Sequence, residues 1–333
     1  MTLNPVLVEV TRGPLVESVH RGAFAVVDAS GSVRLQAGDI ERLVYPRSAL
    51  KPVQAVPLLE TGAAEAFGLS DEEIALAAAS HSGEPMHTTR VKAWQDRIGC
   101  TVADLACGPH RPVHEPTAVD MIARHERWTS LHNNCSGKHT GFMTLARHLS
   151  APVAGYERIE HPAQRLVETT LKEMAGLAGE LPYGVDGCTV PNFAVPLKAL
   201  ARAMAQIADP SRLPRPRRAA AERIVRAMSG HPELVAGTGR ACTLLMKQSQ
   251  KVVVKTGAEG VYVAILPELG LGVALKVDDG ASRASEGAIA ALLIALRALP
   301  DEGAAASLAR PPVTNTRGVP GGERRAVFEA YRL

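Results

Sequence analysis

A serine and a lysine stand three residues apart at Ser48 and Lys51. Two such side chains share a face of the chain only when the backbone between them is helical. The sequence predicts a helix here, with Ser48 as its N-cap and Pro52 in its first turn, where a missing N–H costs nothing. Pro57 is expected to kink or shorten this helix.

A hydroxyl beside an amine is one way to make a nucleophile at neutral pH. Serine attacks a carbonyl only when a neighbour takes its proton, and a lysine can do so when it is neutral. Lowering a lysine pKa from about 10.4 toward 7 requires burial or repulsion by a second positive charge worth about 4–5 kcal/mol. Lys255, in the Lys-Thr-Gly segment 255–257, could supply that charge. Without such context, Ser-x-x-Lys usually caps an ordinary helix.

A second hydroxyl-bearing segment, Ser-His-Ser-Gly-Glu, occupies residues 80–84. It follows a helix that Ser70 and Glu73 are predicted to begin with a capping box. The density of hydroxyl, imidazole and carboxylate groups makes Ser80 a candidate for chemistry. The plainer interpretation of these residues is a polar turn at the end of a helix.

The five cysteines are sparse and odd in number, which is typical of reduced thiols rather than disulfides. Cys135 lies in the segment Asn-Asn-Cys-Ser-Gly-Lys-His, residues 133–139, and Cys188 ends the turn-rich Val-Asp-Gly-Cys segment. From the residues alone, both are either buried free thiols or metal ligands. The 133–139 segment lacks the spacing of a phosphate-binding loop, so it does not predict nucleotide binding.

The composition is that of an ordinary soluble globular protein, with 46% hydrophobic and 21% charged residues. Aromatic residues make up only 4% and the net charge is +3, so no nucleic-acid partner is expected. The basic run 212–218 is predicted to be an exposed connection. No apolar run is long enough to span a membrane, and the first twenty residues show no secretory signal. A cytoplasmic location is therefore expected.

Strand patterns lie at both ends of the chain and helical patterns lie between them. Strands are predicted at 6–10, 19–27, 33–35, 252–255, 260–266 and 271–277. Helices are predicted at 88–98, 141–148, 162–177, 197–207, 219–228 and 285–299, and residues 311–322 as a loose tail rich in Pro and Gly. The fold class predicted is α+β: an antiparallel sheet from about 5–45 and 250–280, packed with a helical region of about 46–230. A single domain of residues 1–333 is expected.

The order of these segments resembles a known family. Penicillin-recognising enzymes and serine glutaminases share a Ser-x-x-Lys helix beside a sheet edge that carries Lys-Thr-Gly. Within that group, segments 80–84, 133–139, 185–188 and 255–260 together look like the asparaginase II family, the Rhizobium etli-type or class 3 L-asparaginases. The resemblance extends from about residue 6 to about residue 277.

This resemblance implies a fold similar to serine β-lactamases and glutaminases, a homodimer, and hydrolysis of L-asparagine to aspartate and ammonia. The residues that match the family's catalytic positions are Ser48, Lys51, Ser80 and Lys255. Those assigned to substrate binding are Arg47, His139, Asp186 and Glu259. Those that match its zinc ligands are Cys135, Lys138 and Cys188.

The chemistry of these side chains agrees with the implied roles. Two thiolates balance the charge of Zn²⁺, and a lysine can join them only after losing its proton. Zinc held by such soft ligands is expected to orient the substrate or the site loops rather than to generate the nucleophile. The expected reaction is acyl transfer, in which neutral Lys51 deprotonates Ser48 and backbone N–H groups near the helix start hold the oxyanion.

Some alternatives stay open from the sequence. Either Ser48 or Ser80 could attack, because Lys51 and Lys255 each offer an amine; the three-residue spacing favours Ser48. Glutamine is a possible preferred substrate, since one methylene changes the binding free energy by only about 1–3 kcal/mol. A penicillin-recognising hydrolase would share the Ser-Lys chemistry but is expected to be exported. A non-catalytic, zinc-stabilised interaction protein would explain the cysteines but not the lysines.

Overall fold

The computed structural model describes residues 3–327. The chain divides into two compact units, each assembled from separate segments. Unit 1 takes the chain up to Ala49, then Ala194–Asp209 and the chain from Leu244 onward. Unit 2 takes Leu50–Phe193 and Pro210–Thr243.

Twelve strands and fourteen α-helices follow one another along the described chain. The strands are β1 (Val6–Arg12), β2 (Leu15–Asp28), β3 (Val33–Ala37), β4 (Leu43–Val44), β5 (Tyr183–Val185), β6 (Pro191–Phe193), β7 (Val195–Pro196), β8 (Val253–Thr256), β9 (Val261–Leu266), β10 (Leu271–Val277), β11 (Pro312–Thr314) and β12 (Pro320–Ala326). The helices are α1 (Lys51–Gln54), α2 (Val56–Glu60), α3 (Ala63–Ala66), α4 (Asp71–Ala77), α5 (Pro85–Arg97), α6 (Glu115–Ala123), α7 (Ser136–His148), α8 (Pro162–Ala175), α9 (Leu197–Ala208), α10 (Arg215–Gly230), α11 (Pro232–Ala236), α12 (Ala241–Gln248), α13 (Ser282–Ala295) and α14 (Gly303–Ala309). The 3₁₀ turns are Arg47–Leu50, Val102–Asp104, Ser130–His132, Pro210–Arg212 and Pro267–Leu269.

Unit 1 is built on one antiparallel sheet to which both ends of the chain contribute. Its strands lie in the order β11-β12-β1-β2-β10-β9-β8, and β3 also pairs with β2. The long β2 joins the two halves, because it pairs with β10 from Asp28 opposite Leu271 to Gly22 opposite Val277. The predicted α+β class, with a sheet made from both termini, is confirmed.

The central strands of this sheet are covered on both faces. Every residue of β9 is buried, and β10 is buried along most of its length, which fits their runs of Val, Ile, Leu and Ala. Helix α9 packs on β10 and β2, while α13 packs on β9, β1 and β10. Gly272 in β10 lets α9 approach the sheet very closely, since a side chain there would lie 2.1 Å from the Ala201 carbonyl oxygen.

Unit 2 is mainly helical and centres on α7. This helix is buried continuously from Ser136 to Ala146 and contacts α2, α3, α4, α5 and α8. Helix α4 begins with the predicted capping box, in which the Ser70 N–H donates to Glu73 Oε2 at 2.8 Å. Gly137 brings the start of α7 against α4, because a side chain there would lie 2.4 Å from the Leu76 carbonyl oxygen. No helix among residues 3–327 is long and apolar enough to cross a membrane.

The helix expected around the first serine is divided into short pieces. Ser48 lies inside the 3₁₀ turn Arg47–Leu50 and is not an N-cap, and α1 begins at Lys51. Pro52 lies in the first turn of α1, and Pro57 lies in the first turn of α2, so Pro57 shortens the helix as predicted. The N-cap prediction is wrong because Arg47 has a positive φ of 53°, which starts a turn rather than an α-helix.

Two further predictions concern irregular segments, and one of them is wrong while the other is correct only in part. The expected loose tail contains β11 and β12, and β12 pairs with β1 through Ala326 opposite Val8. This pairing needs Gly322, where a side chain would lie 1.9 Å from the Thr11 carbonyl oxygen. The basic run is largely exposed and its first residues connect α9 to α10, as predicted, but α10 begins within it and the Arg217 guanidinium pairs with Glu60 at 2.6 Å.

Replacing Gly272 with alanine is expected to destabilise unit 1 by about 1–3 kcal/mol, because the added methyl overlaps backbone atoms of α9 that cannot move independently. Urea unfolding measures the change in the free energy of unfolding. The matched control is Gly230→Ala at the end of α10, where a side chain meets no described atom within 4 Å. Equal stabilities of the two variants would contradict the close packing of α9 on β10.

Candidate active site

The predicted site residues divide between the two units. Those in unit 1 are Arg47, Ser48, Lys255 and Glu259. Those in unit 2 are Lys51, Ser80, Cys135, Lys138, His139, Asp186 and Cys188.

In unit 1, the Lys-Thr-Gly segment lies directly against the 3₁₀ turn that carries Ser48. A side chain at Gly257 would lie 2.6 Å from the Pro46 carbonyl oxygen and 3.3 Å from the Ala49 methyl group. Only glycine permits this approach, so the third residue of the motif has a steric role. The buried Lys255 amine donates to the Thr256 carbonyl at 2.6 Å.

The same turn contains a backbone N–H group near the helix start, which is where the oxyanion was expected to bind. The Ala49 N–H donates to the Pro46 carbonyl at 3.1 Å and closes the turn. This N–H is therefore already used by the backbone. The expectation that N–H groups near the helix start hold the oxyanion is not supported for Ala49.

Three non-glycine residues in or next to the predicted segments have backbones in the left-handed region. Their φ angles are 53° at Arg47, 77° at Thr189 and 59° at Glu259. Such a backbone conformation costs about 1–3 kcal/mol per residue and is often found at functional sites, where surrounding contacts hold it in place. The strain is consistent with a functional role for these segments.

In unit 2, Lys51 is fully buried and its amine is surrounded by polar atoms. Nζ lies 3.0 Å from Ser80 Oγ, 3.2 Å from Cys135 Sγ and 3.5 Å from the Asn134 carbonyl oxygen, and it also donates to the Ala79 carbonyl. Burial lowers the pKa of Lys51, and the charge of Lys138 lowers it further against an opposing effect of Cys135. An amine with two protons can give both to the carbonyls and keep its lone pair for the serine hydroxyl.

The two cysteines and the lysine predicted as metal ligands also come together in unit 2. Lys138 Nζ donates to Cys188 Sγ at 3.0 Å, and the thiols of Cys135 and Cys188 share a hydrogen bond. That bond, with the charges of Lys51 and Lys138, lowers the pKa of Cys135 well below its usual value despite burial. The bond and burial raise the pKa of Cys188. Burial opposes protonation of Lys138, but the two sulfurs outweigh it and raise its pKa.

These three side chains suit a soft divalent metal by their chemistry. A thiolate, a second thiol and an amine are close enough to interact, and three protein ligands leave one position open on a tetrahedral ion. Among residues 3–327, no group of three or more His, Cys, Asp or Glu side chains is arranged to hold a metal. The predicted set has only two such side chains, Cys135 and Cys188, and takes Lys138 as its third ligand.

His139 is buried behind this cluster and is held by a tyrosine that the sequence did not reveal. The Tyr156 hydroxyl accepts from the Ala106 N–H at 2.9 Å and lies 2.6 Å from His139 Nδ1. Burial lowers the pKa of His139, so the ring is neutral. When the Tyr156 hydroxyl donates its hydrogen bond to Nδ1, the single ring proton of His139 lies on Nε2. Within the described chain, His139 Nε2 has no hydrogen-bond partner.

Two asparagines before the cysteine support it. The Cys135 N–H donates to Asn133 Oδ1 at 2.9 Å, while the Asn133 side-chain amide donates to the Cys107 carbonyl at 2.7 Å. The Asn134 carbonyl accepts from the His81 N–H at 3.2 Å. The Asn-Asn-Cys motif is visible in the sequence, but the way in which the asparagines position Cys135 depends on partners far away in the chain.

A family model described as L-asparaginase II matches residues 8–326. The match places the chain among the hydrolases that act on amides. It belongs to the L-asparaginase II family, which confirms the resemblance drawn from the motifs. No curated protein sequence matches the chain significantly.

Several solved structures are similar to the chain at low identity. A β-lactamase from Mycobacterium bovis is 14% identical, with 84% of this chain and 95% of that one covered, at a TM-score of 0.43. A putative β-lactamase from Bacteroides dorei is 14% identical, covering 77% and 84%, at 0.41. A protein called Mglu in its native form is 16% identical, covering 83% and 64%, at 0.48. The family assignment rests on the sequence match and not on these structures.

Replacing Tyr156 with phenylalanine is expected to lower the free energy of unfolding by about 1–3 kcal/mol, because it removes the partner of the Ala106 N–H and of the buried His139 Nδ1. Chemical unfolding monitored by circular dichroism provides the measurement. Tyr183→Phe is the control, since Tyr183 is 47% exposed. If Tyr156→Phe were as stable as this control, the tyrosine would not be holding the histidine.

Proposed function

We propose that the protein hydrolyses L-asparagine to L-aspartate and ammonia through a covalent β-aspartyl ester on serine. Membership of the L-asparaginase II family supports the substrate. The observation that carries the mechanism is the buried Lys51 amine, whose Nζ lies 3.0 Å from Ser80 Oγ. A buried amine with a lowered pKa beside a hydroxyl is the arrangement that Ser-Lys catalysis requires.

In the first step, Ser48 Oγ attacks the side-chain amide carbon of asparagine and its proton passes to the neutral Lys51 amine. The three-residue spacing of Ser48 and Lys51 equals one turn of a 3₁₀ helix, and a 3₁₀ turn precedes α1. Ser80, already hydrogen-bonded to the Lys51 amine, relays the proton from Ser48 to that amine. The protonated Lys51 then gives the proton to the leaving nitrogen, the carbon–nitrogen bond breaks, and ammonia leaves.

In the second step, water attacks the ester carbon and loses its proton to Lys51. The carbon–oxygen bond to Ser48 breaks, and the serine oxygen regains a proton from Lys51, which restores the enzyme. Lys255 is proposed as the amine partner of Ser80 in a second hydroxyl–amine pair. That part of the proposal is supported by the sequence motif and the family alone.

Substrate recognition is assigned by chemistry to the remaining predicted residues. The guanidinium of Arg47 suits the α-carboxylate of the substrate, and the carboxylates of Asp186 and Glu259 suit its α-ammonium group. The neutral His139 ring, with its proton on Nε2, is a donor suited to a carbonyl oxygen. A homodimer belongs to the same proposal and is supported by the resemblance to the family.

Zinc is proposed to bind Cys135, Cys188 and Lys138, whose donor atoms already interact with one another. When bound, it would act as a Lewis acid that polarises or orients a polar group of the substrate. The chain must then hold both sulfurs as thiolates and remove the proton from Lys138. The Cys135 N–H bond to Asn133 Oδ1 holds the backbone of that ligand in place.

An ammonia-release assay with asparagine and with glutamine tests the proposed function. Ser48→Ala and Lys51→Met are each expected to lower kcat by about 10³-fold or more while the protein remains folded, because each removes a group that acts in the transition state. Ser229→Ala, on the exposed part of α10, is the control and should retain full activity.

Peptide mass spectrometry of acid-quenched enzyme locates the acyl group. An acylated Ser80, or an active Ser48→Ala enzyme, would overturn the choice of Ser48. Faster turnover of glutamine would make the protein a glutaminase. Wild-type enzyme that releases ammonia from neither amide would overturn the proposed function.

Removal of zinc by a strong chelator is expected to raise KM for asparagine more than it lowers kcat, because the metal orients the substrate and does not generate the nucleophile. Steady-state kinetics before chelation, after it, and after zinc is restored measure both constants. An equal loss in kcat and kcat/KM, with KM unchanged, would instead assign the metal to the chemical step.

A further inference from the structure

Residues 80–84, here called the serine loop, are hydrogen-bonded along their length to residues 233–238, here called the support segment. The Ser80 N–H donates to the Val235 carbonyl at 2.8 Å. The Ser82 hydroxyl donates to the Ala236 carbonyl at 2.7 Å. The two segments therefore lie side by side in unit 2, and the first of these bonds fixes the backbone of Ser80.

The last residue of the serine loop, Glu84, makes the polar contacts that end this pairing. Its Oε1 accepts from the Thr238 N–H at 2.9 Å, and its Oε2 accepts from the Thr238 hydroxyl at 2.7 Å. Hydrogen bonds to a carboxylate are about twice as strong as those between neutral groups. Glu84 is only 6% exposed, so water competes weakly for these bonds.

Glu84 is itself fixed to a helix. It is the N-cap of α5, and its N–H donates to His87 Nδ1 at 3.1 Å. The other ring nitrogen, His87 Nε2, lies 2.9 Å from the Glu233 carbonyl oxygen, which it can reach only as a donor. Helix α5 thus holds both ends of the support segment.

Gly237 fixes the register between the two segments. Its φ is +109°, and a side chain there would lie 2.2 Å from Ser82 Oγ and 2.7 Å from Glu84 Oε1. Only glycine fits such a backbone conformation at such a short distance. A shift of one residue would place a larger side chain against Ser82, so the pairing has a single arrangement.

We propose that Glu84 and Thr238 are positioning residues that hold the Ser80 hydroxyl at the Lys51 amine. This inference rests on the proposed function, in which Ser80 takes part in proton transfer. A displacement of about 1 Å in a reacting group can lower the rate about 10²-fold. The Glu84–Thr238 pair, here called the clamp, can therefore control kcat although Glu84 lies four residues after Ser80. Thr238 is exposed, so its bond to Glu84 can be removed without opening the core.

Thr238→Val and Thr238→Ser test the proposal as a pair. Valine has the same shape as threonine but cannot donate to Glu84 Oε2, whereas serine keeps that donor. Thr238→Val is expected to lower kcat for asparagine about tenfold with KM within about twofold, and Thr238→Ser to stay within about twofold of wild type. Thermal unfolding of each variant is measured in parallel.

Thr101→Val is the matched control. The Thr101 N–H and hydroxyl both donate to Asp104 Oδ2, at 2.7 and 2.9 Å, so the same pair of donors meets a carboxylate in an exposed turn. This variant is expected to retain wild-type kcat. Glu84→Gln is the second variant of the clamp, because the amide keeps the size of the side chain but loses the charge, and kcat is again expected to fall.

The outcomes distinguish a failure of the clamp from a failure of the proposed function. Wild-type kcat in Thr238→Val, or no recovery in Thr238→Ser, overturns the positioning role. A change in KM alone overturns it as well, since a displaced Ser80 affects the chemical step. If Ser80→Ala retains full activity, the proposed role of Ser80 fails first, and the clamp has no group to position.

Discussion

The buried amine of Lys51 is the constraint on which the arrangement of unit 2 depends. An isolated ammonium ion in an apolar interior is unfavourable by many kcal/mol, so such a group must lose its proton or gain partners. The chain supplies two carbonyl oxygens, a hydroxyl and a sulfur around Nζ. Three separate segments are needed to provide them, because Ala79 and Ser80, Asn134 and Cys135, and Lys51 itself lie far apart in sequence.

The elements that carry these groups are short and are positioned by close backbone contacts. Lys51 begins a four-residue helix, Ser80 follows the end of α4, and Cys135 precedes α7. Gly137 lets α7 approach α4, and Gly257 lets the end of β8 approach the Ser48 turn. A glycine at each crossing thus allows the backbones of neighbouring segments to approach closely.

Structure that depends on residues close together in the chain could be predicted from the sequence, whereas contacts between distant segments could not. The capping box of Ser70 and Glu73 involves residues three apart, so its pattern is visible without the fold. The turn at Arg47 was missed because its positive φ is imposed by its surroundings and not by arginine itself. Strand β12 depends on β1, and the Glu84 bond to Thr238 spans 154 residues, so no short window of sequence contains either. The family motifs located the serines, lysines and cysteines, but gave none of these supports.

The charges of the buried cluster form a consistent pattern when Lys51 is neutral. The hydrogen bond from Cys188 and the charge of Lys138 lower the pKa of Cys135, and the two sulfurs raise that of Lys138, which favours one thiolate and one ammonium ion. Cys188, whose pKa is raised, keeps its proton and donates it toward the neighbouring sulfur. One positive and one negative charge then cancel within the cluster, and a proton on Lys51 would add an unbalanced buried charge. Groups whose environments push their pKa values apart divide the roles of acid and base between them. By that criterion Lys138 retains the charge when no metal is bound, and Lys51 is the lysine free to accept a proton.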